Sequence, residues 1–182
     1  IARALSYAAR NDADVINLSL GSRSRSTLLQ QAIRDATDKG VLVTAAAGNS
    51  NSALPHYPAA GNGAAASSDG LVSVTSVDMY GKKSNFANYG TWVDLAAPGD
   101  AIRSAFPNDR YAYWSGTSMA TPFVSGEAAL IHAVYGSFDP VSVEGKIRCS
   151  TQSLLTSDLI YSAVLGTGRA DVGASLAPGV CS

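Results

Sequence analysis

Leu5, Ala8 and Ala9 recur at helical spacing before Asn11, and the β-branched run Val15 to Leu20 follows, closed by Gly21, so a helix and then a strand are predicted. Ser26 can cap a second helix that carries Leu29, Ala32, Ile33 and Ala36 on one face and stops at Lys39 and Gly40. Val41 to Ala46 is continuously apolar, the pattern of a strand covered on both sides. Residues 47–70 are rich in Gly, Asn, Ser and Pro without periodicity and read as a long loop region. Leu71 to Val77 forms another buried run, and short strands are expected at Trp92 to Leu95 and Ala101 to Phe106. A long helix is expected from Ser118 to about Tyr135, with Phe123, Leu130, Ile131 and Val134 facing inward and Gly126 allowing close packing. A further helix spans Val141 to Ser150, after the break at Pro140. Buried strands alternating with helices imply an α/β fold, a parallel sheet with helices on both faces. With no repeat, low-complexity tract or linker-like charge run, residues 1–182 read as one domain.

Charge and composition narrow the function classes. The chain has 13 Lys plus Arg against 14 Asp plus Glu, net −1, with no block of like charge, which argues against a nucleic-acid or anionic-membrane partner. The apolar stretches Val41 to Ala47 and Ala128 to Ile131 fall far short of the ~20 residues a membrane span requires. The first residue is Ile1 and no leader pattern follows it, so the chain is expected to be a processed or excised product. Cys149 and Cys181 allow one disulfide at most; two thiols and one bridge both stay open. Without a CxxC pair or a histidine cluster, zinc is not expected.

In parallel sheets ligands sit beyond the carboxyl ends of the strands, which directs attention to Ser19 to Ser22, Ala47 to Asn51 and the approach to the long helix. There, Gly116-Thr117-Ser118-Met119 sets a serine between a glycine turn and a helix start, among N–H groups and a dipole end that stabilise a negative oxygen. Position alone leaves Ser118 as either a helix cap or a nucleophile. The wider string SGTSMATPFVSG, Ser115 to Gly126, closely resembles the nucleophile motif of the subtilisin-like serine proteases, GTSMA(T/S)PxVxG. ADVINLSLGS, GVLVTAAAGNSN, HYPAA, SNFANYG, VDLAAPG and GTGRAD are similar to family segments and occur in family order.

That resemblance implies the C-terminal part of a subtilisin-like catalytic domain, extracellular, with Ser118 as acyl-forming nucleophile. Asn49, which position alone also allows as a turn residue, would hold the oxyanion together with the Ser118 N–H. It implies that Ser19, Leu20 and Gly21 on one side and Ala46, Ala47 and Gly48 on the other bind an extended peptide or protein substrate by strand addition. His56 falls near where the family closes its primary specificity pocket, a departure expected to shrink or polarise that pocket. Asp94 matches an acid that binds a cation in some relatives, with backbone carbonyls near Asp69 and Leu71; these hard oxygens suit a structural calcium, although Asp94 can equally serve as a hydrogen-bond acceptor. No cofactor is required for the chemistry.

A serine hydroxyl needs a neighbouring base, and the base an orienting acid. The family supplies these upstream of the serine in DTG-like and HGTHVAG-like motifs, and neither string occurs here. His132 lies fourteen residues beyond Ser118 on the same predicted helix, about 21 Å of rise, out of reach of the hydroxyl. The expectation is a serine endopeptidase fragment with nucleophile, oxyanion group and groove, inactive until a missing N-terminal segment of the same protease joins it. The alternative is a noncatalytic peptide-binding module or pseudoprotease in which Ser118 is a cap. A nucleophile-elbow hydrolase is set aside, because the only acid between Ser118 and the last histidine is Glu127, on the same helix.

Overall fold

Four parallel strands lie side by side in chain order: β1 (Val15–Leu18), β2 (Leu42–Ala46), β3 (Leu71–Val77) and β4 (Leu95–Pro98). The computed structural model describes residues 1–61, 69–136, 139–154 and 159–179. Part of the expected loop region, residues 62–68, and Cys181 lie outside them.

The alternation of side chains along each strand divides the core between two faces. Val43 and Ala45 of β2 join Leu71, Trp92 and Val93 against α1 (Ala2–Arg10) and α2 (Thr27–Thr37), where Leu5 and Ile33 are buried. Leu42 of β2 joins Val72, Val74 and Leu95 on the opposite face, against α3 (Thr117–Tyr135) and α4 (Pro140–Cys149). The sheet is therefore covered by helices on both sides, as an all-parallel sheet requires. Ser26 caps α2 by accepting from the Leu29 N–H at 3.2 Å, and Asp139 caps α4 by accepting from the Ser142 N–H at 2.9 Å. Two short helices, α5 (Leu159–Ser162) and α6 (Val172–Leu176), complete the C-terminal part.

The inward face of α3 differs from the expected one. Ala120, Val124, Ala128 and Ile131 pack on the sheet, while Phe123, Leu130 and Val134 are 44%, 47% and 57% exposed. Small side chains let the helix lie close to the strands, which turns the larger ones away. The strand expected at Trp92 to Leu95 forms later, as β4, and Val15 to Leu20 is strand only to Leu18. The strand expected at Ala101 to Phe106 forms as β5 (Ile102–Phe106), and its partner was not anticipated: β5 turns back through Pro107, Asn108 and Asp109 into β6 (Arg110–Trp114), forming an antiparallel hairpin. Asn108 and Asp109 both have positive φ, 64° and 53°, the conformation a tight hairpin turn demands.

The two sheet margins differ. At the β4 margin Ala96 bridges Arg169, with the Ala96 N–H donating to Gly168 O and the Ala170 N–H to Ala96 O, each at 2.8 Å. Among the described residues β1 pairs with β2 alone, so its outer margin is an edge.

Candidate active site

The carboxyl ends of β1 and β2 lead into Ser19–Gly21 and Ala47–Asn49, and the start of α3 meets both. Gly116 is the N-cap of α3, so Ser118 is not the cap. The Ser118 hydroxyl instead donates to the Ser19 carbonyl at 3.0 Å, and the Ser19 hydroxyl donates to the Ser118 carbonyl at 2.8 Å. Pro122 explains why that carbonyl is available. It stands four residues on and has no N–H, so the helical bond to Ser118 O is missing and the first turn of α3 accepts from β1's loop instead.

Asn49 lies on the other side of the helix mouth. Its Oδ1 accepts from the Thr117 N–H and the Thr117 hydroxyl, both at 2.9 Å, and Thr117 Oγ1 accepts in turn from the Gly48 N–H at 3.0 Å. These bonds take up the amide oxygen. A methyl group placed on Gly116 would stand 3.3 Å from Asn49 Nδ2 and 3.7 Å from the Ser118 nitrogen. Met119 Sδ stands between these distances, at 3.6 Å, so Asn49 Nδ2, the Ser118 nitrogen and one sulfur surround the face of Gly116 that carries no side chain.

Two positioning residues have no counterpart in the sequence reading. Thr117 is fully buried and orients Asn49 as described. Asn88, within SNFANYG, is buried beneath the Asn49 loop: its Oδ1 accepts from the Ser50 and Ser52 N–H groups at 2.9 and 3.1 Å, and its Nδ2 donates to Ala47 O at 2.8 Å. A buried amide that satisfies three backbone groups fixes a loop. Its only advance signal is an asparagine between Ala87 and Tyr89 in an otherwise punctuated stretch.

Thr117→Val keeps the shape and deletes the hydroxyl. It leaves the buried Gly48 N–H unpaired and is expected to cost about 1–3 kcal/mol of stability. Thr117→Ser should restore most of it. Denaturant midpoints of the three proteins compare them.

His56 is half-buried beside the walls, and burial, with the Arg23 charge adding to it, holds its imidazole below the ordinary range. Its ring lies against Gly21 and Gly48. His132 is far along α3, in its last turn.

The residues singled out for calcium form a different arrangement. Asp94 Oδ2 accepts from the Ser73 N–H and hydroxyl, each at 2.8 Å, and Oδ1 faces the Arg148 guanidinium at 3.7 Å. Asp69 Oδ1 accepts from the Leu71 N–H at 3.1 Å. The buried Glu144 accepts from the Asp69 and Gly70 N–H groups at 3.1 and 2.9 Å and pairs with Arg148 at 3.3 Å. Arg148 supplies the positive charge here. Among the described residues no group of three or more His, Cys, Asp or Glu side chains is placed to hold a metal ion. The side-chain oxygens of Asp94, Asp69 and Glu144 are engaged in an internal network of hydrogen bonds and ion pairs.

The model of the subtilase family, peptidase S8, matches residues 1–168, a span that takes in the helix mouth, both walls and Asn49. The chain belongs to the subtilase family. The subtilase chain is 48% identical over 131 residues to a thermophilic serine proteinase of Bacillus sp. (strain AK1), covering 72% of this chain and 31% of that one. With subtilisin BL of Lederbergia lenta the identity is 38% over 170 residues, covering 93% and 61%. Among solved structures it resembles the prenylagaramide maturation protease PagA, with TM-score 0.84 and 30% identity over 96% of this chain and 65% of the other. It spans less than two thirds of the length of each of these relatives. The family is one of serine endopeptidases, and its α/β parallel-sheet architecture is the one found here.

Proposed function

We propose that this subtilase chain is the nucleophile-bearing part of a serine endopeptidase that cleaves extended peptide or protein substrates. The observation that carries the proposal is the Ser118 hydroxyl at the mouth of α3, with Asn49 Nδ2 and the Ser118 nitrogen both within 4 Å of the bare face of Gly116. In the reaction Ser118 Oγ bonds to the substrate carbonyl carbon while its proton passes to an imidazole. The carbonyl electrons collect on oxygen, held by the Asn49 and Ser118 N–H groups. Collapse expels the amine, which takes the proton from the imidazole, and leaves an acyl-serine for water to hydrolyse. Ser19, Leu20, Gly21 and Ala46, Ala47, Gly48 form the walls that hold the peptide. Asn49 suits its role because an amide donates without bringing a charge of its own.

The acid and the imidazole come from a segment outside residues 1–182, and the chain alone is inactive. Two features support this reading. Helix α3 is apolar on its outer face, where Phe123, Leu130 and Val134 are exposed, and a helix hydrophobic all round is a buried helix in the finished protein. Beside it β1 presents its unpaired margin. The chemistry needs no cofactor, and a calcium at Asp94, Asp69 and Leu71 is not part of the proposal, given the place Arg148 takes. Among the described residues no helix is long and apolar enough to cross a membrane. We place the protein outside the cell, on its likeness to the subtilisins. A noncatalytic module with Ser118 as a cap is disfavoured, since Gly116 occupies that position.

A fluorophosphonate probe tests the proposal on the full-length protein, on residues 1–182 alone, and on Ser118→Ala. Label is expected on Ser118 of the full-length protein only. Equal labelling of the isolated chain, or label that survives Ser118→Ala, overturns it.

A further inference from the structure

A carbonyl oxygen can only accept, so the 2.8 Å bond between the Ser19 hydroxyl and Ser118 O carries the Ser19 proton. The direction of every bond behind it follows. With its own hydrogen engaged, Ser19 Oγ accepts from Asn17 Nδ2 at 2.8 Å, which turns Asn17 Oδ1 the other way, where the Ser125 hydroxyl donates to it at 3.0 Å. The Thr44 hydroxyl lies 2.7 Å from Ser125 Oγ and donates to it, because the Ser125 proton already points at Asn17. The result is a one-way chain of hydrogen bonds from Thr44 through Ser125, Asn17 and Ser19 to the backbone of Ser118. It starts in β2, where Thr44 is fully buried and stands in register with Asn17 of β1, and it passes through α3 on the way. Ser125 follows Ser118 by seven residues, about 10 Å of rise, so the chain ties α3 to β1 at two heights.

We infer that Ser125, with Thr44 behind it, is a positioning residue for the acylation step: it orients the Asn17 amide, which holds the Ser19 hydroxyl on Ser118 O and so fixes the turn that carries the nucleophile. The inference rests on the role proposed above for Ser118. That turn is short of one helical bond because of Pro122, and both the Ser118 hydroxyl and its N–H ride on it. Asn17 is exposed at the open margin of β1, and an amide there rotates unless something selects one orientation. Ser125 makes that selection. A serine inside a helix ordinarily returns its proton to the carbonyl four residues back. Here that acceptor, Thr121 O, is 3.3 Å away and Asn17 Oδ1 is nearer, at 3.0 Å. Without the Ser125 hydroxyl Asn17 is free to turn, Ser19 loses the donor that directs its proton, and the first turn of α3 is left to fray. Small errors in the place of an attacking atom fall on the rate of reaction rather than on binding.

The test compares the full-length protein with its Ser125→Ala, Thr44→Val and Thr44→Ser variants, with active sites counted by fluorophosphonate titration and a thermal midpoint taken for each. Ser125→Ala deletes one oxygen and places a good helix former in a helix. It is expected to lower kcat toward a peptide amide, and the rate of fluorophosphonate labelling, by about three- to tenfold, with KM and the midpoint little changed. Thr44→Val should act in the same direction and Thr44→Ser should restore the wild-type rate. Ser19→Ala removes the last link and lowers kcat itself, and Ser125→Ala added to it should lower kcat no further, a non-additivity that a merely structural role does not produce. A folded, titrating Ser125→Ala with wild-type kcat overturns the inference and leaves Ser118 as the nucleophile. An effect of Ser125→Ala that is equally large in the Ser19→Ala background overturns it as well. If Ser125→Ala does not fold, the contrast between Thr44→Val and Thr44→Ser decides on the same terms. A wild type without titratable Ser118 removes the nucleophile reading itself, and this inference with it.

Discussion

Asn49→Asp is expected to lower kcat of the full-length protease toward peptide amides by a factor of about 10²–10³ or more, the scale established on subtilisin itself for loss of one oxyanion donor. The substitution is chosen for what it preserves. Asp retains an oxygen to accept from the Thr117 N–H and hydroxyl, the two 2.9 Å bonds that position the side chain, so the loop should stay in place. What changes is the other terminal atom: an NH2 donor becomes a carboxylate oxygen facing the site where the substrate carbonyl turns negative. Ground-state binding by the walls is untouched, so KM should move little while kcat falls. Steady-state kinetics beside a thermal midpoint makes the distinction. A loss of less than tenfold, in a protein of unchanged stability, would remove Asn49 from the oxyanion role.

Arg148→Met should destabilise the fold by about 3 kcal/mol or more near neutral pH, the range for removing one partner of a buried ion pair. Arg148 faces Glu144 at 3.3 Å and Asp94 at 3.7 Å, and both acids are buried. Burial pushes Asp94 up to about 6 from 3.8, and pushes Glu144 up to about 7 from 4.5 with the Asp94 charge adding to it; Arg148 opposes both shifts. Raised carboxyl values mean that the folded state holds these protons more tightly than the unfolded chain does. Their stabilising contribution is complete below about 4 and is lost as the pH climbs through about 6 to 7. Burial raises Glu127 to about 7 in the same sense. Wild-type stability should therefore decline from pH 4.5 to 7.5, and Arg148→Met should decline more steeply, approaching wild type at the acid end. Denaturant titrations across that interval measure both slopes. A cost that is flat with pH would mean that Arg148 acts through packing alone.

The legible part of the molecule is the part written in local pattern. The runs Val41 to Ala46 and Leu71 to Val77 are apolar at every position because both faces of a parallel sheet are covered, and both appear as strands with at most one residue trimmed. Ser26, with Leu29 three residues on, announces a helix start through one side-chain bond, and the structure has it. The α3 face differs from the expected one because hydrophobicity alone does not decide which residues meet a sheet: the small Ala120 and Ala128 permit a close contact that Phe123 and Leu130 would prevent. The hairpin β5–β6 lacked a buried face, so the periodicity of Arg110 to Trp114 had nothing to report. At the site, the likeness around Ser118 and Asn49 named residue types, whereas Thr117 and Asn88 act through contacts 68 and 36 to 41 positions away, which no window of sequence displays. Asp94 serves as a buried hydrogen-bond acceptor, one of the two roles its sequence pattern allowed. The guanidinium that answers it comes from α4, fifty-four residues further along.

The bonds that pose the Ser118 hydroxyl join residues 99 positions apart, and those that aim the Asn49 amide span 68. Closing such loops comes late in folding, after the local elements have formed. A half-made molecule therefore carries a serine with nothing around it, as harmless as any other on a solvated chain. The arrangement proposed for catalysis is thus completed only when the distant parts of the domain have closed on one another, so a partly folded chain is not expected to carry it.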